Sequence, residues 1–477
     1  MRRHPFALLV LLSLPTFACS SGGEATPIDG GTTSDADAAS ACKVVPAPQL
    51  GASAEAVALA AAPAACGQKA FTWLATPDLG DVTQKGFHDH FTATANKVLL
   101  VAGKVDVKGP VHDVDMDQIA YVTQDRGAKI EATALVAYPS DLEARTDLDV
   151  LVVLHGTAGF TDSCAPSASA DARPLAAALA SLGYVVVAPD YVGLRALGAP
   201  TGFLHPYLVG QTTAIASIDA VRASQKLLQK GDLGVCAKPR FVTVGGSQGG
   251  HAALWVDRLA PYYAKELEHA GVVATVPPAD MLGEAGRALR ADVPASKNIL
   301  AFYGASSGWY GYEGRLGEVL VTPWDKDVPA AMAKSCDPKL DASTRDAYFQ
   351  KSFLDTAATD AGLSALSPWG CMLTENGLTT TSVKRLVPAA PGYGVLFVVG
   401  EADTLVDPAT ERKAFDTLCG QGMKMQYLEC AGAAHTKATT WSLPEIVDFV
   451  GARLAGVPMK PADLCARGAA QKCRGTP

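Results

Sequence analysis

The sequence predicts an α/β fold: a mostly parallel sheet with helices on both faces and a cap inserted late in the chain. Three observations carry this. From about residue 117 to 280, continuous apolar runs alternate with helical periods, the pattern of crossover units on a sheet buried on both sides. A serine flanked by glycines stands where one of those runs meets a helix. The rhythm breaks between about 281 and 388 and returns at 393.

The chain opens with Arg2 and Arg3, followed by "FALLVLLSL" (6–14), which is too short to span a bilayer, and then small or polar residues. This order reads as a removed signal peptide, residues 1–18. Residues 19–41, rich in Gly, Ser, Thr and Asp, read as a disordered polar linker. Cleavage before Cys19 would resemble bacterial lipoprotein processing, with Cys19 as the lipid acceptor. Thr16 and Phe17 depart from the usual residues there, and the alternative is ordinary signal cleavage after Ala18, without a lipid, and release of a soluble protein. Residues 42–110 form an N-terminal segment packed on the core, with an Ala-rich helix over 53–65 and less regular stretches.

Core elements follow in order over 111–280. "QIAYVT" and "EATALVAYP" are two antiparallel strands joined by "QDRGAK". "DVLVVLHG", ending at Gly156, is a buried strand. "RPLAAALASLG" (173–183) is a helix, "YVVVAPD" (184–190) a strand, and "TTAIASIDAVRASQKLL" (212–228) a helix leading to "RFVTVGG" (240–246). A helix over 250–269 and a strand over 271–278 complete this part. Residues 281–388, helical and aromatic, are too long for a loop and read as a cap over the carboxyl edge of the sheet. Phe302, Tyr303, Trp309, Tyr310 and Tyr312 would either line its inner face toward the sheet or form its own core. The core resumes over 389–457, with "YGVLFVVG" (393–400), "MQYLEC" (425–430) and a helix over 443–455. A Cys-bearing tail, 458–477, closes the chain.

Composition bounds the partners. The chain is 48% hydrophobic and 18% charged, with a net charge of −8 and no Lys/Arg run. Nucleic acid and anionic membrane surfaces are poor partners for it, and any membrane contact would come through the N-terminal lipid. The chain has 11 cysteines, an odd number in a chain marked for an oxidising compartment. Giving Cys19 to a lipid leaves an even set. Short separations suggest the pairs Cys419–Cys430, Cys465–Cys473, Cys336–Cys371 and Cys42–Cys66, leaving Cys164–Cys236.

The chemistry centres on "VTVGGSQGGHAALW" (242–255). Gly245, Ser247 and Gly249 form G-x-S-x-G between a strand and a helix, the setting in which a sharp turn exposes a serine hydroxyl. A hydroxyl needs a base, and the base needs an acid to fix its tautomer. The histidines after Ser247 are His251, His269 and His435. In the order Ser, acid, His, the first two come too early, so His435 is the base. Glu401, Asp403 and Asp407 compete for the acid. Asp403 stands where the chain has just left a strand, whereas Asp407, before Pro408, fits a helix N-cap. The oxyanion donors would be the N–H of Gln248, which follows the nucleophile, and that of Thr157, with Gly156 as the alternative.

These residues, with "LHGTAG…CAPS", "VVAPDYVGLRALG", "HPYL", "SIDAVRA" and "GEADTLVDP", resemble the α/β-hydrolases of the secretory-lipase type, fungal-type secreted lipases and their bacterial relatives, over roughly 115–455. The resemblance implies the α/β-hydrolase fold with a lid insertion, a Ser247–His435–Asp403 triad, and carboxylic-ester hydrolysis without metal or organic cofactor. A serine peptidase, an esterase of plant or polymer esters and a surface binding protein on an inactive scaffold are the rival readings.

Overall fold

The computed structural model describes residues 42–51, 66–230, 233–340 and 344–477. The signal peptide and linker expected over 1–41, with Cys19, and the helix expected over 53–65 therefore lie outside the described residues. Among the described residues nine strands form one sheet: β1 (Val82–Phe91), β2 (Val114–Asp125), β3 (Ala128–Pro139), β4 (Thr146–Leu154), β5 (Val185–Pro189), β6 (Val235–Gly246), β7 (Glu268–Thr275), β8 (Gly394–Gly400) and β9 (Met425–Cys430). Their spatial order is β1-β2-β3-β5-β4-β6-β7-β8-β9. The first three pairings are antiparallel and every pairing from β5 to β9 is parallel.

Burial on both faces explains the unbroken apolar runs. In β4, Val150 and Val152 join one hydrophobic cluster, with Ile215, Leu227 and Leu254, and Leu151 joins another, with Leu179, Phe449 and Val450. The first cluster seats two helices, α3 (Gly210–Lys230) and α4 (Gln248–Tyr263). The second seats α2 (Arg173–Ala180) and α13 (Leu443–Leu454) on the opposite face.

Some boundaries differ from the sequence reading. Helix α4 ends at Tyr263, not 269, and β7 begins at Glu268. The chain leaves the helical conformation at Ala264, which turns to φ −144°, ψ 66°. The N-terminal segment is more regular than its sequence indicated, with β1 and a helix α1 (Ala93–Ala102). β1, an edge strand, is mostly polar, with only Val82, Phe87 and Phe91 packed inward, and lacks the apolar run that marks its neighbours.

Between β7 and β8 the described residues form six α-helices: α5 (Met281–Arg290), α6 (Ser296–Trp309), α7 (Trp324–Met332), α8 (Lys351–Thr356), α9 (Asp360–Ala365) and α10 (Trp369–Asn376). They share a hydrophobic core in which Phe302, Tyr303, Trp309 and Tyr310 are buried. Of the two roles open to these aromatics, the structure therefore gives them the insertion's own packing. Helices α11 (Pro408–Gly420) and α12 (His435–Trp441) follow β8 and β9.

All five disulfide pairings inferred from proximity are corrected. The bonds are Cys42–Cys236, Cys66–Cys371, Cys164–Cys336, Cys419–Cys465 and Cys430–Cys473. Only the count of five from ten cysteines survives. The physical reason is clearest at β9. Cys419, at the end of α11, lies near the start of this strand and Cys430 closes its other end. A strand rises about 3.3 Å per residue, so the two ends are roughly 17 Å apart, far beyond disulfide reach. The tail runs alongside instead. Cys465 N–H donates to Met425 O at the start of β9 (2.7 Å), and Gln471 bridges Cys430 at its end.

Candidate active site

Everything of chemical interest gathers at the carboxyl ends of the parallel strands. Strands β4 and β6 are neighbours with Leu154 paired to Gly245, so the loop after β4 and the turn after β6 leave the sheet side by side. The chain reverses direction across the sheet here, where crevices form in open α/β folds.

The turn after β6 is as tight as its glycines imply. A side chain at Gly249 would collide with the Leu154 carbonyl, and one at Gly245 with the Gly249 backbone. Ser247 itself sits at φ 58°, ψ −121°, a conformation that non-glycine residues rarely adopt and that concentrates at functional sites. Its N–H is anchored on Thr275 O at 2.9 Å. Left-handed residues also follow two other strands at this edge, Tyr191 (φ 69°) after β5 and Val276 (φ 42°) after β7.

Asp403 follows β8 and is 5% exposed. Its Oδ1 accepts the N–H groups of Leu405 (2.8 Å) and Val406 (3.1 Å), and its Oδ2 lies 2.7 Å from His435 Nδ1. A carboxylate can only accept, so Nδ1 carries the proton and Nε2 is left with its lone pair. His435 Nε2 is buried and bonds to no other group among the described residues. His435 begins α12, and Thr439, one turn on, bonds Thr275 Oγ1 (2.5 Å) directly over Gly246. The histidine helix is thus seated on the serine turn. No hydrogen bond joins the Ser247 hydroxyl to His435 in this structure. Such contacts commonly tighten only with substrate.

Asp407 caps α11 by accepting Thr410 N–H at 2.8 Å, the role that its place before Pro408 indicated. Glu401 holds Gly432 N–H (2.7 Å) and points to the loop before His435. His251 is buried, 2.7 Å from Asn376 O, and His269 packs on Phe241. Burial lowers the pKa of both to about 4, so both are neutral structural groups.

Gln248 N–H opens α4, and the loop after β4 brings Gly156 against Ser247 Cβ. His155 Nδ1 lies 2.6 Å from Gly156 O. In a trans peptide the following N–H points away from that carbonyl, so Thr157 N–H is turned away from His155. Neither N–H donates to any group among the described residues. The Thr157 hydroxyl bonds Tyr207 OH (2.9 Å), which also receives Asn298 Nδ2 (3.0 Å).

Several supporting residues escaped the sequence reading. His155, Tyr191 and His205 stack in series, with centroid separations of 4.0 and 5.9 Å. His205 Nδ1 donates to Val192 O (2.7 Å), and its Nε2 receives Gln248 Nε2 (2.6 Å). Burial lowers its pKa to about 3, keeping the ring neutral and Gln248 fixed. Beneath the stack, Asp190 receives Ser167 N–H (2.7 Å) and Thr133 Oγ1 (2.6 Å), and burial pushes its carboxyl up to about 7. The strings "APDY" and "HPYL" were visible, but nothing local tells that they meet.

A profile of the secretory lipase family matches residues 167–461. Among solved structures, the rice cell wall degrading esterase LipA from Xanthomonas oryzae superposes with a TM-score of 0.64 and 21% identity, covering 79% of this chain and 98% of its own. A putative hydrolase from Legionella pneumophila gives 0.64 and 20%, covering 79% and 100%. Candida antarctica lipase A in its closed state gives 0.62 and 16%, covering 83% and 87%. No curated protein matches the sequence. At these identities the structural likeness speaks for the fold, and a fold does not fix a substrate.

Proposed function

The chain belongs to the secretory lipase family, and from that premise we propose that it hydrolyses carboxylic esters through Ser247, His435 and Asp403 by way of an acyl-enzyme. The fold is that of the α/β-hydrolases, and the family makes the chain an ester hydrolase of the lipase/esterase kind. One observation carries the finer reading. His435 presents an unpartnered Nε2 on a helix seated on the serine turn, while its Nδ1 is held 2.7 Å from a buried carboxylate.

Ser247 Oγ attacks the ester carbonyl as His435 Nε2 takes its proton. Asp403 holds the tautomer and stabilises the imidazolium. The N–H groups of Gln248 and Thr157 receive the oxyanion. His435 then protonates the leaving alcohol, and water releases the acid by the reverse steps. No step calls on a metal or organic cofactor.

Hydrolysis of p-nitrophenyl esters of increasing chain length, beside a peptide amide, tests this reading. Turnover of the esters and not of the amide is expected, and no ester turnover would overturn it. The amide arm covers the peptidase alternative, and a feruloyl ester or cutin arm covers plant and polymer esters. The insertion serves as a cap over the site. Cys66–Cys371 and Cys164–Cys336 tie it to the N-terminal segment and to the loop after β4, so it cannot swing away as one body. Rates on a long-chain ester should therefore pass smoothly through its solubility limit. A jump there would mean that the cap opens despite both bonds.

The family and the five disulfides fit an exported protein. Within that frame Cys19 carries the lipid and 20–41 tether the enzyme. Cys19→Ser should shift activity from the membrane fraction to the soluble one, and an unchanged distribution would refute anchoring.

A further inference from the structure

The loop that carries Asp403 is gripped from outside by the first helix of the insertion. Leu405 and Val406 give their N–H groups to Asp403 Oδ1, and the next amide, Asp407 N–H, donates to Glu284 Oε1 at 2.7 Å. Arg287 Nη2 donates to Leu405 O at 2.6 Å and to Glu284 Oε2 at 2.8 Å. Glu284 and Arg287 stand three residues apart on α5 and so share one face. Together they fix the loop backbone between the two amides that hold the carboxylate, at Leu405 O, and just after them, at Asp407 N–H.

We propose that Glu284 and Arg287 are positioning residues for the Asp403–His435 pair, coupling the insertion to the catalytic acid. This rests on the reading of Asp403 as the triad acid.

The surroundings of Glu284 argue that the contact is not incidental packing. Glu284 is 4% exposed and lies beside a second buried carboxyl, Glu411 (1%), which accepts Ala279 N–H. Asp280 and Asp407 are the other acids of the cluster, and Arg287 is its cation. Burial pushes both glutamic acids up, Glu284 to about 7 against the opposing pull of Arg287, and the neighbouring acids add to the rise. An apolar residue would fill such a place at lower cost. What a leucine could not do is accept Asp407 N–H. Without that acceptor the Leu405–Asp407 turn loosens, the amides leave Oδ1, and Oδ2 no longer holds Nδ1 firmly.

The test compares Glu284→Ala, Glu284→Gln and Arg287→Met in the full-length oxidised protein. Glu284→Ala should lower kcat by about 10- to 100-fold, the scale of a small misplacement at a catalytic site, with KM within about twofold. A weaker Asp403 contact stabilises the imidazolium less, so the acid limb of kcat should move to lower pH. Glu284→Gln should recover most of the rate, because its amide oxygen still accepts Asp407 N–H. Arg287→Met should fall between the two. The downfield proton resonance of His435 Nδ1–H should be present in the parent and in Glu284→Gln, and lost in Glu284→Ala. Wild-type kcat and pH profile in Glu284→Ala would overturn the proposal, as would a loss that only tracks the folded fraction and is not restored by Gln. The resonance decides the matter even if the parent turned over no ester, which would refute the hydrolase reading and leave the positioning claim to be judged alone.

Discussion

Ser247→Ala is expected to abolish ester hydrolysis, with kcat falling on the order of 10⁶-fold, the loss seen when a triad nucleophile is removed. The residue adds little to stability. Its side-chain hydroxyl makes no hydrogen bond among the described residues, and the turn is held by backbone bonds, Ser247 N–H to Thr275 O and His251 N–H to Ser247 O (3.0 Å). Alanine carries the same Cβ into the strained φ of 58°, so the backbone cost is shared by both proteins. The variant should melt within a degree or two of the parent, an effect of under about 0.5 kcal/mol. Stopped-assay kcat and a melting curve on one preparation separate the two claims. A variant that kept a tenth of the parental kcat would remove Ser247 from the mechanism.

Asp403→Asn should cost about 10⁴-fold in kcat, while Asp407→Asn should leave near-normal rates. The first figure follows from which way the amide must face. Two backbone N–H groups converge on Asp403 Oδ1, so an asparagine has to keep its oxygen there and turn its NH₂ toward His435. Nδ1 must then accept, the proton moves to Nε2, and the atom that should take the serine proton is already protonated. At Asp407 only one acceptor oxygen is asked for, taking the Thr410 N–H and hydroxyl, and asparagine caps as well as aspartate. Rates for the two variants, with melting temperatures as controls, would show the order. The reverse order would move the acid to Asp407.

The sequence by itself determined the parts whose causes are local. Apolar runs marked β4 to β8 because a strand covered on both faces has no polar side to show. Gly245 and Gly249 marked the turn because no side chain fits there. Asp407 before Pro408 was readable as a cap, and His435 was the one histidine late enough in the chain to serve. Tertiary structure alone decided which distant segments meet. Cys66 and Cys371 are 305 residues apart, and crossover topology, not proximity along the chain, makes them partners. Gln248 found His205, Glu284 found Asp407 N–H, and the insertion's aromatics turned inward upon one another. Each of these depends on a pairing between faces, and one-dimensional periodicity says which face a residue occupies without saying what lies opposite.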